Sequence, residues 1–150
     1  DTSPRGDPAP VAHVLDRRTL ALPDRLGNNR IDSLRNIVRD PRVALLFLIP
    51  GVGETMRVNG RAVISTEPGL LARYAMQGKA PRSVILITAE RVYFQCQKAL
   101  RRSKLWEAES QIERAALPST GTMLQRMHDE SFDGAAYDAE YPDRMRRTIY

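Results

Sequence analysis

The stretch RVALLFLIPGVGETMRVNGRAVIST (residues 42–66) decides the fold class. Its first eight residues are nearly continuously apolar, which predicts a buried strand. A turn over residues 50–54 follows, and apolar and polar residues then alternate as far as Asn59–Gly60. The pattern shifts there and resumes at Ala62 and Ile64, which predicts a β-bulge or a sharp bend of the kind that closed barrels use at corners. The stretch therefore predicts two strands around a turn.

The flanking sequence adds further strands and several helices. Periodicity and turn residues predict a hairpin over 11–16 and 18–22, a long strand over 83–96, and helices over 29–39, 67–78, 120–129 and 134–150. The segment 98–107 is compact and basic. We expect Asn29 to cap the first of these helices, Asp40–Pro41 to end it, and Pro142 to interrupt or restart the last one. The prediction is a mainly β protein with helical additions (α+β), a small barrel in a single domain over 1–150. Its barrel strands lie at about 11–96 and its helical C-terminal part at about 97–150.

Composition excludes several classes of function. The net charge of +5 comes mostly from arginine, but acidic residues are interspersed and no long run of like charge occurs, so we expect no nucleic-acid partner. The longest apolar run (43–49) is too short to cross a bilayer, and no signal-peptide pattern is visible. Cys96 is the only cysteine, which favours a cytoplasmic setting. Nucleotide-loop, zinc-protease and nucleophile-elbow motifs are absent, no catalytic residue can be named, and we expect no metal site.

The loop before the first helix is rich in hydrogen-bond donors. Gly27 allows a tight turn, Asn28 and Asn29 can donate amide protons, and Arg25 and Arg30 can clamp phosphate oxygens. A capped helix with solvated arginines is the alternative reading. Three other polar phrases, at 3–7, 54–62 and 96–106, read individually as a loop, a solvated strand edge and a basic surface helix.

Taken in order, four phrases resemble one family. SPRGD, LALPDRLGNNRIDSLRNI, PRVALLFLIPGVGETMRVNGRA and VYFQCQKALRRSKLW are similar to phrases of the FMN-binding split β-barrel proteins related to pyridoxamine 5′-phosphate oxidase. The branch concerned contains FMN-dependent enzymes of unknown substrate. The resemblance runs over residues 3–106, and the tail 113–150 is also similar. It implies a six-stranded split barrel and a homodimer with one FMN at each of two sites across the interface.

The resemblance also implies a set of cofactor contacts. In the family, a basic residue just before the helix holds the FMN phosphate, which here is Arg30. The full set of implied cofactor-binding residues is Ser3, Arg5, Asp24, Arg25, Asn28, Asn29, Arg30, Thr55, Met56, Arg57, Lys98, Arg102, Ser103 and Trp106. The segment 55–57 often reaches the flavin from the partner subunit in relatives.

The chain departs from the family in two ways. Relatives often carry histidine before the cysteine, where this chain has Gln95. The family's N-terminal helix and first strand have no counterpart in these 150 residues. The residue pattern that holds pyridoxal phosphate in true pyridoxamine phosphate oxidases is not recognisable, so we do not predict that activity.

Two functions from different classes follow. The first is an FMN-dependent oxidoreductase acting on an unidentified small-molecule substrate. The second is a binding or carrier protein for a flavin, a deazaflavin or haem, without turnover of its own. His13 and His128 are the only candidate haem ligands, although a strand residue and a surface helix residue are their plainer readings.

Overall fold

A computed structural model describes residues 1–8, 10–128 and 131–149. The strands are β1 (His13–Val14), β2 (Thr19–Asp24), β3 (Arg42–Phe47), β4 (Thr55–Ser65) and β5 (Ser83–Gln95). The α-helices are α1 (Asp32–Arg39), α2 (Pro68–Arg73), α3 (Lys98–Ser103), α4 (Thr120–Met127) and α5 (Gly134–Thr148). Short 3-10 helices span Ala108–Ser110 and Arg114–Ala116. The chain divides into two compact units, Asp1–Trp106 and Glu107–Ile149.

All five strands belong to one antiparallel sheet with the order β1-β2-β5-β4-β3. The predicted hairpin forms, with β1 paired to β2. The predicted irregularity at Asn59/Gly60 is confirmed as a register shift between β4 and β5. Within the described residues the sheet is not closed, because β1 and β3 remain at its edges. The predicted α+β class is therefore confirmed, as an open sheet.

The prediction that residues 42–49 form a buried strand was wrong about burial. β3 is an edge strand in which half-buried and exposed residues alternate, and Leu46, Leu48 and Ile49 are exposed. An apolar run alone cannot distinguish a central strand from an edge strand, because the partner on the open side is set by the topology.

The core of the first unit occupies both faces of the sheet. On one face, Ile37 of α1 packs with Leu22, Ile85 and Ile87. On the other face, a smaller cluster centres on Tyr74, just after α2, with Ala21 and Val84. α1 is thus held by the core at one end of the sheet, which places its N-terminus beside the end of β2.

Three helix predictions need correction. α1 begins at Asp32, and its N-cap is Ile31 with no side-chain cap, so Asn29 is not the cap. Asp40 does end this helix, as predicted. α2 stops at Arg73, earlier than predicted. α5 is one continuous helix through Pro142, so the predicted interruption or restart there was wrong; the proline removes one N–H donor without ending the helix.

The second unit contains an α4–α5 pair whose backbones approach closely. A Cβ on Gly121 would lie 2.0 Å from the carbonyl oxygen of Gly134. The Asp138 carboxylate accepts a hydrogen bond of 2.7 Å from the Gly121 N–H. Hydrogen bonds from the Ser119 hydroxyl and from this N–H lower the pKa of Asp138. In the described residues, no helix is both long enough and apolar enough to cross a membrane.

Candidate functional site

The loop between β2 and α1, residues 25–31, carries main-chain and side-chain hydrogen-bond donors. The Asn28 side chain accepts a hydrogen bond of 3.0 Å from the Arg30 N–H, which closes a local turn. Asn29 lies in the left-handed region with φ of 59°, a conformation that asparagine tolerates better than most residues. No side chain caps α1, so its first N–H groups lack a side-chain acceptor and carry the partial positive charge of a helix N-terminus.

The N-terminal segment 1–7 packs on this loop through two ion pairs. Arg5 contacts Asp24 at 2.5 Å, and Arg25 contacts Asp7 at 2.8 Å. Arg25 also donates a hydrogen bond of 2.7 Å to the carbonyl of Tyr74. Two of the arginines predicted to contact the cofactor are therefore engaged with groups of the chain itself.

A serine contact continues the same packing. The hydroxyls of Ser3 and Ser33 lie 2.6 Å apart, which joins the N-terminal segment to the first turn of α1. The segment therefore forms one wall of the space in front of the loop.

A cavity of about 630 Å³ lies between the N-terminal segment, the loop and the start of β5. It brings together half of the predicted cofactor contacts: Ser3, Arg5, Asp24, Arg25, Asn28, Asn29 and Arg30. Among the described residues, the Arg30 guanidinium has no hydrogen bond or ion pair, in contrast to Arg5 and Arg25. Of the three arginines predicted here to contact the cofactor, Arg30 is therefore the one that no carboxylate of the described residues neutralises.

Two residues of this cavity were missed from the sequence, Arg82 and Ser83. The Arg82 guanidinium donates a hydrogen bond of 3.2 Å to the Asn29 side chain. Ser83 is 5% exposed, and its Oγ is buried with no hydrogen-bond partner. The only sequence signal was a polar Pro-Arg-Ser phrase before a strand, which is too common to indicate a site.

A second cavity of about 810 Å³ opens on the apolar face of the sheet. Its wall includes Leu22, Ile85 and Ile87, and residues 1–5 line this cavity as well as the first. Arg57 also lines it, with a buried Nε that has no partner. A polar cavity thus adjoins an apolar one that holds a buried guanidinium nitrogen without a partner among the described residues.

The remaining predicted contacts do not line either cavity; they are Thr55, Met56, Lys98, Arg102, Ser103 and Trp106. Two of them have local roles in the described structure. The Trp106 indole donates a hydrogen bond of 2.8 Å to the carbonyl of Val52, and the Ser103 hydroxyl donates one of 3.1 Å to the carbonyl of Leu100. A single chain therefore assembles only part of the set that the resemblance implies.

The histidines and the cysteine lie outside both cavities. His13 packs against Tyr74 with ring centroids 4.5 Å apart, and His128 stacks on Phe132 in the second unit. Cys96 is exposed and free. No cluster of three or more potential metal ligands occurs within residues 1–8, 10–128 and 131–149.

The open antiparallel sheet with helical additions defines an α+β protein with a polar cavity at one end of the sheet. A family model described as pyridoxamine 5′-phosphate oxidase matches residues 1–96, and the chain belongs to that family. The resemblance inferred from the sequence is thereby confirmed.

Two solved structures of Group A Streptococcus HupZ are similar to part of this chain. The tagged HupZ protein is 18% identical to this chain, with a TM-score of 0.48, over 57% of this chain and 70% of HupZ. A histidine-to-alanine variant of HupZ is 21% identical, with a TM-score of 0.46, over 57% of this chain and 73% of the variant. No curated protein matches the chain.

Proposed function

We propose that the protein is an FMN-dependent oxidoreductase that acts on a small-molecule substrate, with the FMN phosphate in the first cavity. The observation that carries this proposal is the combination at the loop of an uncapped helix N-terminus with an unpaired arginine, Arg30. Helix N-termini and arginine forks are the groups that proteins use for phosphate. Family membership supports FMN as the carrier of that phosphate.

The second cavity supports the other end of the cofactor. A flavin ring is planar and largely apolar, with carbonyl and nitrogen acceptors at one edge. The apolar sheet face around Ile85 and Ile87 can cover such a ring, and the orphaned Nε of Arg57 can donate to an acceptor at its edge. The residues present therefore fit the cofactor at both ends.

The protein and the cofactor have separate tasks in this proposal. The bound flavin supplies the redox chemistry, and the chain supplies binding, orientation and electrostatics. Arg30 and the N–H groups of the loop hold the anionic end. The Arg5–Asp24 and Arg25–Asp7 pairs fasten the N-terminal segment that walls both cavities.

We further propose a cytoplasmic homodimer. The start of β4 and the end of β5, which pair with each other, carry exposed apolar side chains. They include Met56, Val92 and Phe94, and Phe94 is 73% exposed. Adjacent exposed apolar residues of this kind mark interaction surfaces. A second copy placed there would also allow Thr55 and Met56 to reach the partner's cofactor, as the family resemblance implies. A free, exposed Cys96 is consistent with a reducing compartment.

A binding or carrier role without turnover is the second candidate. It is favoured by one observation: in the described part of the chain, no histidine, cysteine or tyrosine lines either cavity. The titratable side chains on the first cavity are carboxylates and arginines, and Asp7 and Asp24 are engaged in ion pairs. A flavin can accept hydride without a protein acid or base. A deazaflavin would satisfy the same phosphate site, whereas haem would need His13 or His128, which lie elsewhere.

Cofactor titration tests the proposal. Purified protein should bind FMN with a change in flavin absorbance and fluorescence. Arg30→Ala should weaken FMN binding by about 10- to 100-fold, because a hydrogen bond to a charged group is worth about 1.5–3 kcal/mol. Arg17→Ala, an exposed arginine in the β1–β2 connection, is the matched control and should leave affinity unchanged.

Turnover separates the two candidates. An enzyme should oxidise NADPH in the presence of FMN and an artificial electron acceptor, whereas a carrier should not. Protein that takes up no FMN in titration contradicts both flavin proposals, and unchanged affinity in Arg30→Ala contradicts the placement of the phosphate.

A further inference from the structure

Ser83 is an unusual residue for its place in the sheet. Residues two apart on a strand share a face, so Ser83 continues the row formed by Ile85 and Ile87, which are buried in the core. Alanine would continue that row without burying an unsatisfied polar group. The buried hydroxyl instead has no partner among the described residues, which destabilises the ligand-free protein. Its position on the wall of the first cavity supplies a reason for a hydroxyl at this point.

Arg82, the residue before Ser83, lines the same cavity. Its main-chain N–H donates to the carbonyl of Asp24 at 3.2 Å, which fastens the start of β5 to the end of β2. Its guanidinium reaches the Asn29 side chain at 3.2 Å and so holds the left-handed turn of the loop. A guanidinium has five N–H donors, and only this one is engaged within the described residues.

We infer that Arg82 and Ser83 form a second wall of the anion site that Arg30 lines, and that they select ligands that carry a phosphate monoester. The Ser83 hydroxyl donates to a phosphate oxygen and thereby gains the partner it lacks. Arg82 donates from its remaining N–H groups and keeps Asn29 in the conformation that directs the loop toward the ligand. The identity of the ligand as FMN rests on the proposed function, whereas the anion wall itself rests on Ser83, Arg82 and the cavity.

The decisive variant is Ser83→Ala, for which the inference predicts two changes of opposite sign. Removing an unsatisfied buried hydroxyl should raise the melting temperature of FMN-free protein by about 2–4 °C. The same change should weaken FMN binding by about 10- to 100-fold and leave riboflavin binding unchanged, because riboflavin lacks the phosphate. A purely structural serine would not separate FMN from riboflavin.

Arg82→Gln is the second variant, with Arg17→Gln as its matched control. Arg82→Gln should lower FMN affinity by at least tenfold with little effect on riboflavin, and Arg17→Gln should change neither. Equal losses for FMN and riboflavin would overturn the inference, since they would report a general distortion of the cavity. Unchanged FMN affinity in both Ser83→Ala and Arg82→Gln would overturn it as well.

Inorganic phosphate separates failure of this inference from failure of the proposed function. If wild-type protein binds FMN, and Ser83→Ala and Arg82→Gln bind it equally well, the roles of Ser83 and Arg82 are refuted but the proposed function is not. If wild-type protein binds no FMN but millimolar phosphate stabilises it, and Ser83→Ala removes that stabilisation, FMN is not the ligand. The anion site formed by Arg82 and Ser83 is then supported. Wild-type protein that responds to neither FMN nor phosphate refutes both.

Discussion

Replacing Arg25 with methionine should cost stability rather than cofactor affinity. The sequence favoured a phosphate contact for Arg25, but the structure gives its guanidinium two partners in the chain: Asp7 at 2.8 Å and the carbonyl of Tyr74 at 2.7 Å. The side chains of Arg25 and Asp7 are 16% and 5% exposed. Arg25→Met keeps most of the apolar stem but leaves a buried carboxylate and a carbonyl unpaired.

The expected loss follows from this burial. Removing one partner of a buried ion pair costs about 3–5 kcal/mol. Because Arg25 retains some contact with solvent, we expect the lower end, about 3 kcal/mol, against a total of about 5–15 kcal/mol for a typical domain. With a urea m-value of about 1–3 kcal/mol/M, the unfolding midpoint should fall by about 1–3 M.

Urea unfolding of a double-mutant cycle provides the assay. Arg25→Met, Asp7→Asn and the double variant should be non-additive, with a coupling of about 0.5–3 kcal/mol, since the two residues are in contact. Arg35→Met, an exposed arginine on α1, is the matched control and should stay within about 0.5 kcal/mol of wild type. An unchanged midpoint in Arg25→Met, together with a tenfold loss of FMN affinity, would show that Arg25 is a ligand contact and that this reasoning is wrong.

Three further predictions concern the bulge, acid stability and association. A Cβ at Gly60 would lie 2.1 Å from a carbonyl oxygen of β5, so Gly60→Ala should destabilise the protein by about 3 kcal/mol. An unchanged melting temperature would contradict this close approach of β4 to β5 at the register shift. The side-chain hydrogen bond from Arg42 lowers the pKa of Asp40 from 3.8 to about 2. The ionised Asp40 carboxylate therefore stabilises the fold fully at pH values above its pKa in the unfolded chain, 3.8, and this stabilisation is lost as the pH falls through about 2. Asp40→Asn should remove the pH dependence of stability over that range, as measured by acid unfolding followed by circular dichroism. If the exposed strand ends form a dimer interface, Phe94→Ser should raise the dimer dissociation constant at least tenfold in sedimentation; equal association of both proteins would exclude this face.

Local sequence patterns predicted much of the fold. The alternation of apolar and polar residues, and its shift, located β4 and the irregularity at Asn59/Gly60, because successive residues of a strand point to opposite faces of the sheet. The helix end at Asp40 was equally local, since the following proline disfavours helical backbone at that residue. Four phrases in a fixed order also identified the family.

The start of α1 shows where local reasoning stops. Asn29 has a good capping side chain, but that side chain accepts from Arg82, which is 53 residues away in sequence. The helix then starts three residues later without a side-chain cap. No periodicity near Asn29 could have indicated this contact.

The sequence by itself determined the α+β class, the order of most elements, the family and the donor-rich loop. Only the tertiary structure decided which of the cavity arginines predicted from the sequence are free: Arg5 and Arg25 are paired with carboxylates, whereas the Arg30 guanidinium has no partner among the described residues. It also brought the start of β5, with Ser83, against that loop. The physical reason is that strand and helix patterns depend on neighbours in sequence, whereas ion pairing and the burial of a hydroxyl depend on which distant segments the sheet brings together.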